Sequence, residues 1–189
     1  TINDDDNLWL YFGTGDMQKL ETRANTYNRI YGIKDKDFPN YKTINTPGTI
    51  SQCKTAPNCP GSTDLGWYIN LKNSQKLTGS VTVDNNLIHY PVYEPLTSSN
   101  SCSNGNAIKC KADAKCGYKS TLGKACVTLG KGVLSKIVVY KEKLYMGIAG
   151  EAKTSGTGFT SKDNLITGAS TSTAKKAEGK ILLEGWREN

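Results

Sequence analysis

Few side chains in this chain of 189 residues are placed to do covalent chemistry. His89 is the only histidine. It sits in Leu87-Ile88-His89-Tyr90-Pro91-Val92-Tyr93, whose alternation sets Leu87, His89 and Pro91 on one face and Ile88, Tyr90 and Val92 on the other. A general base needs a nucleophile and an orienting group within reach, and no motif supplies them; G-x-S-x-G is absent. His89 therefore reads as structural and the chain as no enzyme. Gly13-Thr14-Gly15 has glycines spaced as in a phosphate loop. It follows a strand without opening a helix and lacks the P-loop lysine, so a tight bend is expected. Asp4-Asp5-Asp6 offers carboxylates to a calcium ion, but the EF-hand spacing with its glycine and closing glutamate is missing. An acidic turn in solvent is the simpler reading, and no cofactor or metal is expected.

The six cysteines are Cys53, Cys59, Cys102, Cys110, Cys116 and Cys126. An even number in a small Gly/Ser/Thr-rich chain points to disulfides and an oxidising compartment. Zinc would need tighter Cys/His clusters, and no C-x-x-C-H is present for a c-type haem. Six cysteines allow fifteen pairings. The short loops favour Cys53 with Cys59 and Cys110 with Cys116, which leaves Cys102 with Cys126.

Charge is divided unevenly. Residues 1–102 hold nine Lys/Arg against ten Asp/Glu, while residues 103–189 hold fifteen against seven. The second half is thus the source of the net charge of +7. Lys109, Lys111, Lys115, Lys119 and Lys124 crowd around the cysteines with Asp113 as the one acid between them. They are candidate ligands for a polyanion such as nucleic acid, an acidic glycan or a lipid headgroup. Lysines without interleaved aromatics or arginine forks also serve as a plain solvated surface.

Positioning these residues falls to short strands. Only 37% of residues are hydrophobic, and turn formers are abundant; no run approaches the roughly 20 apolar residues of a membrane-spanning helix. The polar turn Asn3–Asn7 leads into Leu8-Trp9-Leu10-Tyr11-Phe12, which closes on Gly-Thr-Gly. Looser copies follow. Ser80–Val83 and Leu87–Tyr93 flank Asp84-Asn85-Asn86, and Lys136–Tyr140 and Leu144–Gly150 flank Lys141-Glu142-Lys143. These read as β-hairpins with tight turns. Three such units predict an all-β fold, a partial β-propeller of roughly three blades, although strand periodicity alone leaves a sandwich open. Further strands are expected at Asn28–Lys34, Leu65–Leu71 and Lys180–Asn189, with Met17–Tyr27 a short helix or an excursion. Pro91 predicts an edge or a bulge. Within a single domain, 40–63, 96–126 and 151–179 read as loop inserts, the last of them mobile, and disulfides tie down the first two. The N-terminus has no signal-peptide character and its first unit starts at the turn, so a longer protein, cut or processed, is expected.

Several phrases together resemble one family, the C-terminal β-propeller of PilY/PilC-type type IV pilus-associated proteins. Trp9-Leu10-Tyr11-Phe12-Gly13-Thr14-Gly15 is similar to its aromatic-Phe-Gly-Thr-Gly signature, and Asn28–Asp35 to the strand that follows. Gly66–Leu71, the hairpin ending at Tyr93-Glu94-Pro95 with a cysteine soon after, Gly132-Val133-Leu134-Ser135 and Gly185-Trp186-Arg187-Glu188 resemble later blocks, in the same order. The resemblance implies an exported protein of the pilus tip and bacterial cell surface. There it helps pilus assembly with minor pilins, opposes retraction and mediates adhesion to host or abiotic surfaces. It implies no enzymology. The upstream blades and the family's Asp-rich calcium loop have no counterpart here, so calcium control is not carried over. Residues 102–126 hold more cysteines than the family leads one to expect. The remaining N-terminal part of the same protein becomes an expected partner, and a glycan- or polyanion-binding module, including one that captures DNA, is the alternative.

Overall fold

A computed structural model describes residues 7–15, 18–22, 27–35, 50–52, 65–72, 74–96, 104–117 and 125–170. Among these residues there is no helix; they form two β-sheets. The smaller sheet has the order β1-β2-β4-β3, from β1 (Leu8–Gly13), β2 (Arg29–Asp35), β3 (Ile50–Gln52) and β4 (Gly66–Asn70). Its pairs are antiparallel except β3 with β4. The alternating burial of β2 follows from its sequence: Ile30, Gly32 and Lys34 turn inward, while Arg29, Tyr31 and Ile33 stay half-exposed.

The larger sheet contains β5 (Lys76–Leu77), β6 (Thr82–Asp84), β7 (Leu87–Glu94), β8 (Asn106–Asp113), β9 (Cys126–Leu134), β10 (Val138–Tyr140), β11 (Lys143–Ala152), β12 (Phe159–Lys162) and β13 (Leu165–Ala169). Its order is β12-β13-β11-β9-β8-β7-β5, with β6 also on β7 and β10 also on β11. Both expected hairpins form. Asn85 and Asn86 have φ of 45° and 61°, and Lys141 and Glu142 have 45° and 62°. Two consecutive positive φ values define a type I′ turn, whose twist matches that of paired strands. Asp163 and Asn164, at 50° and 61°, make a third such turn between β12 and β13. The sequence reading missed that hairpin. Residues 151–170, expected to be a mobile insert, are the end of β11 and then β12 and β13. Likewise 96–126 is no loop insert, because it holds β8, a strand buried on both faces. Of 40–63 the described part is β3; the rest, like the expected strand at 180–189, lies outside the described residues.

The first strands of the two long hairpins are each broken. β5 and β6 lie on the same side of β7 with residues 78–81 between them, and β9 and β10 lie along β11 with residues 135–137 between them. The two breaks lie against each other: the Thr78 hydroxyl donates to the Leu134 carbonyl at 3.2 Å and the Thr82 hydroxyl to the Ile137 carbonyl at 2.5 Å. This arrangement accounts for Pro91. Its carbonyl accepts from Thr78 N at 3.2 Å, so the N–H it lacks would have faced the broken partner strand. Proline is thus tolerated inside the sheet, where an edge or bulge was expected.

One core lies between the sheets. Trp9, Ile30 and Trp67 of the smaller sheet pack on Ile88, Tyr90, Val92, Ile108, Cys110 and Ala112 of β7 and β8. A second core gathers Ala107, Leu129, Leu134, Ile137, Leu144, Met146, Ile148 and Ile166. A polar clasp joins the sheets. Asn28 Nδ2 donates to the Gln75 carbonyl at 2.7 Å, Gln75 and Asn106 donate to the two Glu94 oxygens, and Lys131 Nζ donates to Asn106 Oδ1 at 2.6 Å. The fold is therefore all-β and largely antiparallel, and its sheets do not close on themselves.

Cys110 is bonded to Cys126, which corrects the expected Cys110–Cys116 and Cys102–Cys126 pairs. Neighbouring strands decide it. Cys110 and Cys126 are directly opposed in the β8–β9 register, whereas Cys116 lies beyond the end of β8. Cys116 is disulfide-bonded as well; Cys53, Cys59 and Cys102 lie outside the described residues. Closing this short loop is worth about 3 kcal/mol in the unfolded chain. The Cys110→Ala/Cys126→Ala variant is expected to lose about that much in urea unfolding, and a loss below about 1 kcal/mol would contradict it.

Candidate functional site

The smaller sheet turns one face to the core and leaves the other open. Leu10 is 63% exposed and Phe12 39%. The register carries an aromatic row across three strands, Phe12 opposite Tyr31 and Tyr31 opposite Tyr68. Phe12 and Tyr31 stack at 5.1 Å between centroids with planes 20° apart, and Tyr31 meets Tyr68 at 6.0 Å. Both pairs fall in the contact range of interacting rings, the first offset-stacked and the second tilted by 40°. Arg29 ends the row, its guanidinium 4.5 Å from the Tyr68 centroid and its Nε donating to Asn70 Oδ1 at 3.0 Å. On the inward face Trp9 stacks on Tyr11 at 6.1 Å, and Tyr11 meets Trp67 at 6.2 Å. The strand is therefore aromatic on both sides with only one side covered. Apolar surface gathered on an open face is the usual mark of an interaction site.

Gly13-Thr14-Gly15 is the bend that the sequence predicts. Thr14 N donates to the Arg29 carbonyl at 2.9 Å, the Thr14 hydroxyl accepts from Arg29 N at 2.9 Å, and Leu77 N donates to the Thr14 carbonyl at 3.4 Å. A side chain on Gly15 would press within 3.0 Å of Leu77 N. The glycine is what lets the segment after β1 pass close to β5. Asp4, Asp5 and Asp6 lie outside the described residues, and among the described residues no cluster of His, Cys, Asp and Glu is set to hold a metal.

The lysines do not form the single surface patch expected of them. Lys109 is 5% exposed. The alternation of β8 turns it to the face opposite Cys110, and its ammonium stands 5.9 Å from the Phe159 ring. Lys109 is thereby withdrawn from any polyanion surface. Lys111 and Lys115 are half-buried, and Lys119 and Lys124 lie outside the described residues. Burial first and Lys111 second lower the Lys109 amine from its usual range to about 8. His89 is fully buried and neither ring nitrogen has a hydrogen-bond partner among the described residues. Its burial, with Lys109 and Lys111 adding repulsion, lowers the imidazole to about 3. A groove between the broken strands is lined by Val81, Thr82, Val83, Lys136, Ile137, Val138 and Val139.

Phe12, Tyr31, Tyr68 and Arg29 were missed as site residues. Their signal was aromatics at alternate positions of three strands, but periodicity does not say which face a second sheet covers. No family model, curated protein or solved structure matches this chain.

Proposed function

We propose that this chain is the C-terminal part of the β-propeller of a PilY/PilC-type protein. It acts without enzymatic chemistry at the pilus tip and bacterial surface, in pilus assembly and retraction control with minor pilins and in adhesion. The two sheets are then neighbouring parts of an incomplete ring of roughly three blades. The open aromatic face of the smaller sheet carries the reading. An apolar face on a strand whose outer edge has no partner among the described residues is the surface a further sheet of the same protein would cover. The family-like phrases support it too: Trp9–Gly13, Arg29–Asp35, Gly66–Asn70 and the run through Glu94 coincide with β1, β2, β4 and β7. The Cys110–Cys126 bond agrees with export to an oxidising compartment. No helix among the described residues is long and apolar enough to cross a membrane.

Intact mass and N-terminal sequencing of the native protein, with identification of what co-purifies from sheared pili, test the assignment. A longer polypeptide found with pilins is expected; a free protein of this chain's 20.5 kDa, absent from pili, would overturn it. The 189-residue chain alone is expected to self-associate through the open face. Leu10→Ser/Phe12→Ser should shift it towards monomer in light scattering while a cooperative unfolding transition is kept. A native chain that is monomeric at high concentration would remove the argument from the open face. Binding of an acidic glycan or DNA remains the second reading, now without the buried Lys109: it rests on Lys111 and Lys115, with Lys119 and Lys124 outside the described residues. It requires binding that weakens with salt and with charge removal at Lys111 and Lys115.

A further inference from the structure

Two basic side chains lie on the same face of neighbouring strands, largely buried and with no hydrogen-bond acceptor among the described residues. His89 on β7 is wholly inaccessible and both of its ring nitrogens are unpartnered. Lys109 on β8 keeps 5% of its surface, and its ammonium meets the Phe159 ring of β12 but no carboxylate or carbonyl among the described residues. The register sets them on a diagonal, His89 opposite Lys111 and Pro91 opposite Lys109. Diagonal neighbours in an antiparallel pair stand about 7–8 Å apart at the backbone, within reach of long side chains.

The groups around them are already engaged. Lys111, next on the same face of β8, has interactions of its own. Asp113, the one acid on that face, accepts at Oδ1 from Lys115 N at 3.0 Å and Cys116 N at 2.9 Å, holding the turn beyond the strand. Thr82 of β6, opposite His89, donates its hydroxyl to Ile137. A buried ammonium without counter-charge is costly enough that it sheds its proton or takes up an anion. Burial and Lys111 bring Lys109 down only to about 8, so it still carries its charge at neutral pH.

We propose that His89 and Lys109 hold a small monovalent anion of the size of chloride, which accepts from Lys109 Nζ and from one imidazole N–H. The ammonium brings three donors and the neutral imidazole one, so an acceptor-only ligand suits both. Water would satisfy the hydrogen bonds and leave the charge unbalanced. The small remaining exposure of Lys109 limits the ligand to a compact ion.

The test is the melting temperature of the native chain at pH 7 in sodium chloride and in sodium gluconate at equal ionic strength. Chloride is expected to raise it saturably, by roughly 4 °C at tenfold the dissociation constant, and gluconate is not. The chloride effect should fade above pH 9, where Lys109 is neutral, vanish in Lys109→Met and persist in Lys153→Met. Equal midpoints in the two salts, or a chloride effect unchanged in Lys109→Met, overturns the proposal. Should Lys109→Met fail to fold, crystals of the native chain grown in bromide decide the matter. An anomalous peak beside Lys109 Nζ supports the site, and none there rejects it.

Discussion

Acidifying the protein from pH 7 to pH 4 is expected to cost about 3 kcal/mol of stability through His89 alone. In the unfolded chain the imidazole takes up a proton below its model value of 6.5, but in the fold it does so only near 3. The folded state therefore binds fewer protons throughout that window. Stability is complete above pH 6.5, falls as pH drops through the window, and levels off below about 3. Desolvation is the main cause, since the ring is fully buried with neither nitrogen hydrogen-bonded; Lys109 and Lys111 add repulsion. His89→Leu keeps a side chain of similar bulk beside Leu87 and Pro91 and removes the titration. Urea unfolding from pH 4 to 8 in chloride-free buffer, where the proposed anion site is empty, should show its stability curve flatter than the native one by about that 3 kcal/mol. Carboxylates titrate in both proteins and drop out of the difference. Parallel curves would mean that His89 gains a proton partner in the fold.

Trp67→Ala is expected to destabilise the protein by about 4 kcal/mol or more. Trp67 is fully buried, and it joins the smaller sheet to the larger one. Its indole N–H donates to the Ala114 carbonyl at 2.9 Å, across 47 residues of sequence. Two glycines make its seat. A side chain on Gly32 would come within 2.6 Å of Trp67 Cζ2, and one on Gly117, where φ is 69°, within 2.8 Å of Cε3. Truncation opens a large cavity and strands a buried carbonyl, two costs that add. Gly32→Val should be comparably harmful from the opposite direction, because the rigid, enclosed indole ring of Trp67 rather than a flexible chain end must yield. The readout is the urea midpoint together with the unfolding slope. A loss under about 1.5 kcal/mol for Trp67→Ala would show that the sheets are held together elsewhere.

These residues mark how far the sequence could be read. The strands β1, β2, β4, β7 and β11 were legible because branched and aromatic residues alternate between polar turns, and Asp84-Asn85-Asn86 announced its turn through residues that tolerate positive φ. β8 was not legible. Asn106-Ala107-Ile108-Lys109-Cys110-Lys111 carries lysines at alternate positions, which normally marks a solvated face, yet here that face is covered as well. β12 and β13 were hidden by Ser, Thr and Gly, whose strand signal is weak, and Asp163-Asn164 was the cue that went unused. The aromatic row had the reverse fault: every residue of it was visible, but not its exposure.

The sequence by itself determined the class of the fold, the positions of most hairpins and the presence of disulfides, because these depend on neighbours a few residues away and on overall composition. Tertiary structure alone decided that Cys110 meets Cys126, that Lys109 and His89 are buried with no acceptor among the described residues, and that Phe12, Tyr31 and Tyr68 face outward. Each of these depends on which sheet lies against which strand face. That contact joins residues far apart in the chain, and period-two patterning is blind to it because both faces of a strand obey the same alternation.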